Sequence, residues 1–332
     1  MIKSFNILTS IFIFILCFLF FYGVSYESLI DPVYYIDAAK NSVTISDAIS
    51  HGERWSSDIL FISISYIINK LSLSYDGNGV FYSLVIVSLM IMTLYDFVDK
   101  KFYLIVVSLA FLNLSLLAFS FNIWRQALST LVIILSLGFR RNLFLFHLAS
   151  IGFHFNTGAI FLVFYVFRKI EISVLVKRLP FILVSSLFLG YLIRHNISYF
   201  ESGIGVYSKT NSSSPILRYI LGLSNFVIVY LIFVFFKSKK QKGIVYQDDV
   251  FKYGFFTIIV GLFLVVYIPA ASERFMHSYF AFVPVWIGFL MSHCNKLGAW
   301  IIFLYSFFYM LVNLFLINRS HVFSIIEYSS FY

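Results

Sequence analysis

Charge is scarce in this chain: Asp, Glu, Lys and Arg make up 12% of its 332 residues, about half the roughly 25% of a water-soluble globular domain. Apolar side chains reach 61%, which excludes a fold whose surface faces water on every side. Cysteine is scarcer still. Cys17 and Cys294 lie far apart in or beside apolar runs, so neither a disulfide framework nor a cysteine metal site is available. The sequence also lacks a Walker A motif, a GxGxxG after a strand, an HExxH and a GxSxG. ATP hydrolysis, dinucleotide chemistry and zinc proteolysis are therefore poor fits, and no metal or cofactor is implied. No internal repeat is visible.

The abundant feature is the long apolar run. Such runs occupy roughly 7–22, 80–97, 103–121, 124–139, 143–167, 179–195, 218–236, 253–268, 276–292 and 298–318. A membrane-spanning helix takes about 20 apolar residues, so the length accommodates roughly ten to twelve spans and no separate soluble domain. Backbone groups in lipid must be satisfied within the segment, which makes the spans helices. The expected fold is all-α: a polytopic membrane helical bundle formed by residues 1–332 as one integral-membrane domain. The first run follows Lys3 and has no small-x-small cleavage signature near Gly23-Val24-Ser25, so it reads as a retained signal anchor.

A formal charge of +9 raises the question of nucleic acid, but the basic residues punctuate the apolar runs and form no single patch. Their placement reads as topology. Lys3, Lys100-Lys101, Arg140-Arg141, Arg168-Lys169, Lys177-Arg178, the Lys237–Lys242 cluster and Lys296 belong to one side, which the positive-inside rule assigns to the cytoplasm. With Lys252 added, that side holds 15 of the 24 basic and 5 of the 15 acidic residues. The connections 24–79, 122–126, 196–217 and 269–275 face the other side. Asp248-Asp249 reads as a counter-charge to the neighbouring lysines rather than as a metal–nucleotide site.

Parity then requires two irregular pieces. Between Lys3 and Lys100 only 7–22 and 80–97 can cross, so 59–73 must enter and leave the outer side as an interfacial or re-entrant helix. Arg140-Arg141 and Arg168-Lys169 flank a stretch slightly longer than one span. It reads either as two short helices meeting near His154–Gly158 or as one tilted span, which would invert everything after it. The break is preferred because irregular backbone at membrane depth can line a protein cavity.

The ionisable residues on the outer side are the candidate chemistry. The first outer loop carries Glu27, Asp31, Asp37, Asp47, Glu53, Arg54 and Asp58. Arg125-Gln126 opens a span, His154 sits at the break, Arg218 opens the span after the Ser-rich stretch 208–215, and Glu273-Arg274 lies at the last outer turn. A charge within the hydrocarbon costs roughly 2.5–3.5 kcal/mol on insertion scales, so several at one depth call for a compensating role. Arg194, Lys209 and Arg319 can snorkel to headgroups, and His147 reads as an interfacial histidine. Arg125, His154 and Arg274 would together make an electropositive cavity open to the outside. Guanidinium groups bind phosphate bidentately, so a lipid diphosphate suits it. The alternative is that Arg125 pairs with Asp31 or Glu53 only to hold helices together.

The order of these features resembles the EpsG-like branch of the Wzy-type O-antigen and exopolysaccharide polymerases. The residues that carry the likeness are Asp31-Pro-Val-Tyr34-Tyr35, Glu53, Asn122-Ile-Trp-Arg125-Gln126-Ala127-Leu128, and Phe153-His154-Phe-Asn-Thr-Gly-Ala159. The last two look like the family's RQ…FHxSA pattern, with Asn156-Thr157 departing from its usual small–Ser pair. The likeness is spread over about residues 20–170, with Arg274 before an aromatic span as a weaker later element. It implies a GT-C-like glycosyltransferase of the bacterial inner membrane, active on its periplasmic face. Such an enzyme joins undecaprenyl-diphosphate-linked oligosaccharide repeat units, with a chain-length regulator and a flippase as neighbours. On that footing Arg125, Gln126, Arg218 and Arg274 are candidate diphosphate ligands. Glu53, Asp31 and His154 are candidate general bases, which the sequence does not rank. Two other readings stay open: a flippase or transporter of lipid-linked oligosaccharide, and an O-antigen ligase-type transferase.

Overall fold

A computed structural model of the chain describes residues 2–22, 30–51, 58–71, 73–113, 124–138, 143–170, 228–237, 249–267 and 269–312, with scattered helical positions between 174 and 225. Among these residues there is no strand beyond an isolated antiparallel bridge between Lys237 and Cys294. The fold is all-helical. In chain order the helices are α1 (Ile2–Tyr22), α2 (Ile30–Lys40), α3 (Ile45–His51), α4 (Ile59–Asn69), α5 (Tyr75–Phe97), α6 (Tyr103–Phe111), α7 (Trp124–Gly138), α8 (Leu143–Phe153), α9 (Phe155–Phe167), α10 (Asp249–Tyr267), α11 (Pro269–His293) and α12 (Lys296–Val312).

Several helix ends follow from local chemistry. α5 begins ahead of the apolar run because Ser74 is a good N-cap: its Oγ accepts from the Gly77 N–H at 3.0 Å, and Asp76 sits in the positive first turn. The outer connection expected at 269–275 is instead the start of α11. Pro269 explains this, since its fixed φ and missing N–H suit the first helical position. Segment 24–79, expected as an outer loop, likewise contains two short helices, α2 and α3, besides α4. It is tied at its surface by Tyr75, whose hydroxyl donates to the Asp37 carboxylate and whose ring lies 3.6 Å below Lys40 Nζ.

Among the described residues α5 is long and apolar enough to cross a membrane. Other helices carry apolar faces with no protein over them. On α1, Leu8, Phe12, Ile15 and Leu19 are exposed while Cys17 and Phe21 are buried. On α12, Leu297, Trp300, Leu304 and Phe308 are exposed while Ala299, Ile302, Ser306 and Met310 are buried. A soluble monomer does not leave such continuous apolar faces to water. Such faces suit a membrane protein.

The chain divides into two compact units, residues 1–163 with 310–332, and residues 164–309. In the first, α5 and α7 pack around a fully buried aromatic cluster. Tyr82 stacks on Trp124 at 4.7 Å between centroids, and Phe61 and Tyr35 extend the cluster to α4 and α2. The hydroxyl of Tyr82, which burial would otherwise penalise, shares a 2.6 Å hydrogen bond with Ser65 of α4.

The stretch 143–167 breaks at His154 into α8 and α9. The two halves meet at a tight elbow: a methyl group on Gly158 would collide with the backbone of Ile151, so only a glycine permits this approach. α8 packs on α7 through a 2.6 Å bond between the Ser129 and Ser150 hydroxyls. His147 is fully buried, which corrects the interfacial reading. It lies one turn before Ser150, on the face α8 turns to α7.

In the second unit α10 and α11 pack through aromatic edges, with Tyr253 on Phe282 at 4.6 Å and Phe251 on Trp286 at 5.2 Å. Arg168, just beyond α9, pairs with Asp249 at 3.2 Å, and Lys252 Nζ donates to the Arg168 carbonyl at 2.6 Å. Asp249 opens α10, so the carboxylate lies at the positive end of that helix, while Lys252 satisfies a carbonyl left open beyond the end of α9.

Candidate functional site

The candidate site is organised by Arg125, the second residue of α7. Its guanidinium is buried, 4% exposed, and Nη1 donates to the carboxylate of Asp58, itself 3% exposed. The guanidinium also lies over the Tyr35 ring, 4.9 Å from its centroid. Tyr35 is seated against Phe61 and Trp124, so the aromatic cluster fixes the floor on which the cation rests. Arg125 thus rests against a ring and gives one donor to a carboxylate.

Asp58 does more than neutralise. It occupies the N-cap position of α4, yet its carboxylate makes no capping bond to its own helix. Oδ2 takes the Arg125 donor, and Oδ1 accepts from the Phe155 N–H at 2.8 Å. That amide is the first of α9. One buried carboxylate therefore joins the N-terminal ends of α4, α7 and α9. Each of these ends carries a partial positive charge from its unsatisfied amides. Arg125 adds a full one, so the junction favours negative charge.

His154 completes the elbow. It is the N-cap of α9: the Gly158 N–H donates to its carbonyl at 2.9 Å, and the Thr157 N–H donates to Nδ1 at 3.2 Å. The Thr157 hydroxyl lies 2.7 Å from the same nitrogen. An amide N–H can only donate, so Nδ1 carries the lone pair, and the proton of the neutral ring sits on Nε2.

Of the sequence candidates, Arg125, Gln126 and His154 have described side chains in the first unit. Gln126 is buried beside Arg125. Asp31 belongs to α2 and Arg274 to α11, but their side chains lie outside the described residues, as do Glu53 and Arg218 altogether. Among the described residues the carboxylate that meets Arg125 is Asp58; the side chains of Asp31 and Glu53, which the sequence offered as partners, lie outside them. A signal for it existed: an Asp immediately before an apolar run is a helix N-cap. Tertiary packing brings Tyr35 against Trp124, the residue before Arg125, whereas Thr157 meets His154 locally, three residues on. The described residues contain no cluster of three or more His, Cys, Asp or Glu that could hold a metal ion.

Comparison with known proteins gives one finding. The family model described as the EpsG family matches residues 6–330. No curated protein and no solved structure matches.

Proposed function

The chain belongs to the EpsG family, and from that premise we propose that it is a Wzy-type polysaccharide polymerase of the bacterial inner membrane. The family supports a polysaccharide polymerase, a glycosyltransferase in the broad sense. The donor, the face of the membrane and the site residues are our reading. In it, a bundle of ten to twelve spans of GT-C-like architecture turns the loops 24–79 and 196–217 to the periplasm, with 59–73 lying at or re-entering the outer surface. The substrates are undecaprenyl-diphosphate-linked oligosaccharides, and a chain-length regulator and a flippase work alongside.

The reaction breaks the bond between the anomeric carbon of the growing glycan and its diphosphate. It forms a new glycosidic bond to a hydroxyl of the incoming unit's non-reducing sugar. Undecaprenyl diphosphate leaves with the electron pair, and the hydroxyl proton passes to a base. The departing diphosphate gains charge, so cationic donors held in place beforehand stabilise the transition state most. Arg125 is the principal one, with Gln126, Arg218 and Arg274 as further diphosphate ligands. Glu53 or Asp31 takes the proton. His154 is less suited, because its Nδ1 lone pair is engaged by Thr157 and its Nε2 bears hydrogen. It fits a donor role toward a glycan or phosphate oxygen.

The observation that carries this reading is a buried guanidinium held on an aromatic ring at the meeting point of three helix N-termini. Its test is Arg125→Lys, which keeps the charge but loses the planar fork. Gel analysis of surface polysaccharide should show loss of chain lengthening at normal protein level, with single repeat units still reaching the outer glycolipid. Full-length glycan from the variant would remove Arg125 from the site. Absence of any repeat unit outside would favour transport over polymerisation.

A further inference from the structure

We propose that Asp58 is the positioning residue of this site: it sets the direction of the Arg125 guanidinium and ties that direction to the α8–α9 elbow carrying His154. The proposal rests on the polymerase reading and deepens it, since it assigns the group that orients the diphosphate-binding cation.

The geometry makes a purely neutralising role an incomplete account of Asp58. A counter-ion needs only proximity, whereas this carboxylate divides its two oxygens between different elements, Oδ2 to Arg125 of α7 and Oδ1 to the Phe155 N–H of α9. The partners are 67 and 97 residues away in sequence, so one short, two-torsion side chain fixes the relation of three segments that the chain itself does not connect. Tyr35 lies 4.9 Å from the guanidinium, a ring contact that supports the cation without a directional bond. The bond to Asp58 is directional and orients the guanidinium. The same carboxylate anchors the first amide of α9, and the next two capping bonds of that helix, from Thr157 N–H and Gly158 N–H, both end on His154. Asp58 thereby places the cation and the imidazole in one frame, and acts on the reaction through both without being required to touch substrate.

The test uses purified full-length protein in lipid bilayers with a lipid-linked repeat unit as substrate. Turnover is counted per folded molecule, and unfolding midpoints are measured in parallel. Three single variants are compared: Asp58→Asn, which keeps an acceptor but loses the charge; Asp58→Glu, which keeps the charge but moves it by one methylene; and Arg125→Gln. A fourth combines Asp58→Asn with Arg125→Gln. A small displacement of a catalytic group costs roughly 100-fold. We therefore expect both Asp58 variants to lose about that factor in kcat with KM within about threefold of wild type, and the double variant to be no worse than Arg125→Gln alone.

Where Asp58→Asn does not accumulate, Asp58→Glu alone decides, because it leaves Arg125 paired. Wild-type kcat in either Asp58 variant, or a loss confined to KM, would overturn the positioning role. A double variant with restored turnover would do so too, by showing that the pair merely holds helices together. Failure of the underlying reading looks different: Arg125→Gln with full turnover sinks the diphosphate site whatever Asp58 does.

Discussion

The two units each contain an arginine–aspartate pair, and the pairs differ in a way that separates a site from a fastening. Arg125 and Asp58 expose 5% and 4% of their side chains, whereas Arg168 and Asp249 expose 23% and 19%. The second pair, with Lys252 on the Arg168 carbonyl, joins the end of α9 to the start of α10 where solvent or headgroups reach it. Its charges complement helix ends and are partly screened. The first pair is withdrawn from solvent, rests on an aromatic floor and is shared with a third helix. Removing two charges from water is costly, and such pairs are poor stabilisers compared with apolar packing of equal size. A buried pair at the junction of three helix N-termini is therefore a weak argument for stability, which leaves room for the role proposed above for Arg125.

The largest effect that would break this comparison comes from truncating the two acids. Asp58→Ala leaves a guanidinium buried without its carboxylate, at an expected cost of about 3–5 kcal/mol. Asp249→Ala should cost at most about 1 kcal/mol. Thermal unfolding in detergent, followed by intrinsic tryptophan fluorescence, measures both. Equal costs would mean that burial does not distinguish the pairs.

Smaller effects sharpen it. Gly158→Ala pushes a methyl group against the Ile151 backbone, and backbone cannot swing aside, so a loss of about 2–3 kcal/mol is expected. Gly77→Ala, whose added methyl would meet the Ser74 hydroxyl at 3.3 Å, should be close to neutral. The unfolding midpoints of the two variants would show whether the elbow is as unforgiving as the geometry requires. Smallest of all, Lys252→Met removes one hydrogen bond to a carbonyl beyond the end of α9. It should cost about 0.5–1.5 kcal/mol and leave surface-glycan length unchanged on gels. Shortened glycan from Lys252→Met would give the second unit's fastening a share in the chemistry.

Much of this architecture was legible along the chain. Apolar runs bounded by basic residues marked most of the helices, because helix formation in lipid depends on local composition and length. The break at His154 was legible too, since two short helices meeting near His154–Gly158 were preferred over one tilted span for the stretch between the basic pairs on either side of 143–167. What the pattern undervalued was Asp58. Among the acids of segment 24–79, its place before an apolar run marks Asp58 as a helix N-cap, but nothing local says that it meets Arg125. His147 was misjudged for the same reason: its distance from a loop is a local property, whereas its burial depends on the partner helix α7.

By itself, the amino-acid sequence determined that this chain is helical and belongs in a membrane, where most of its helices run, and, through the ordered residues around Arg125 and His154, its family. Those properties follow from composition, period and charge within short windows, and such windows do not depend on the rest of the molecule. Only the tertiary structure decided that Asp58 meets Arg125 and that the same carboxylate caps α9. These are contacts between segments far apart in the chain, chosen by how α4, α7 and α9 pack, and packing is settled by the whole bundle at once.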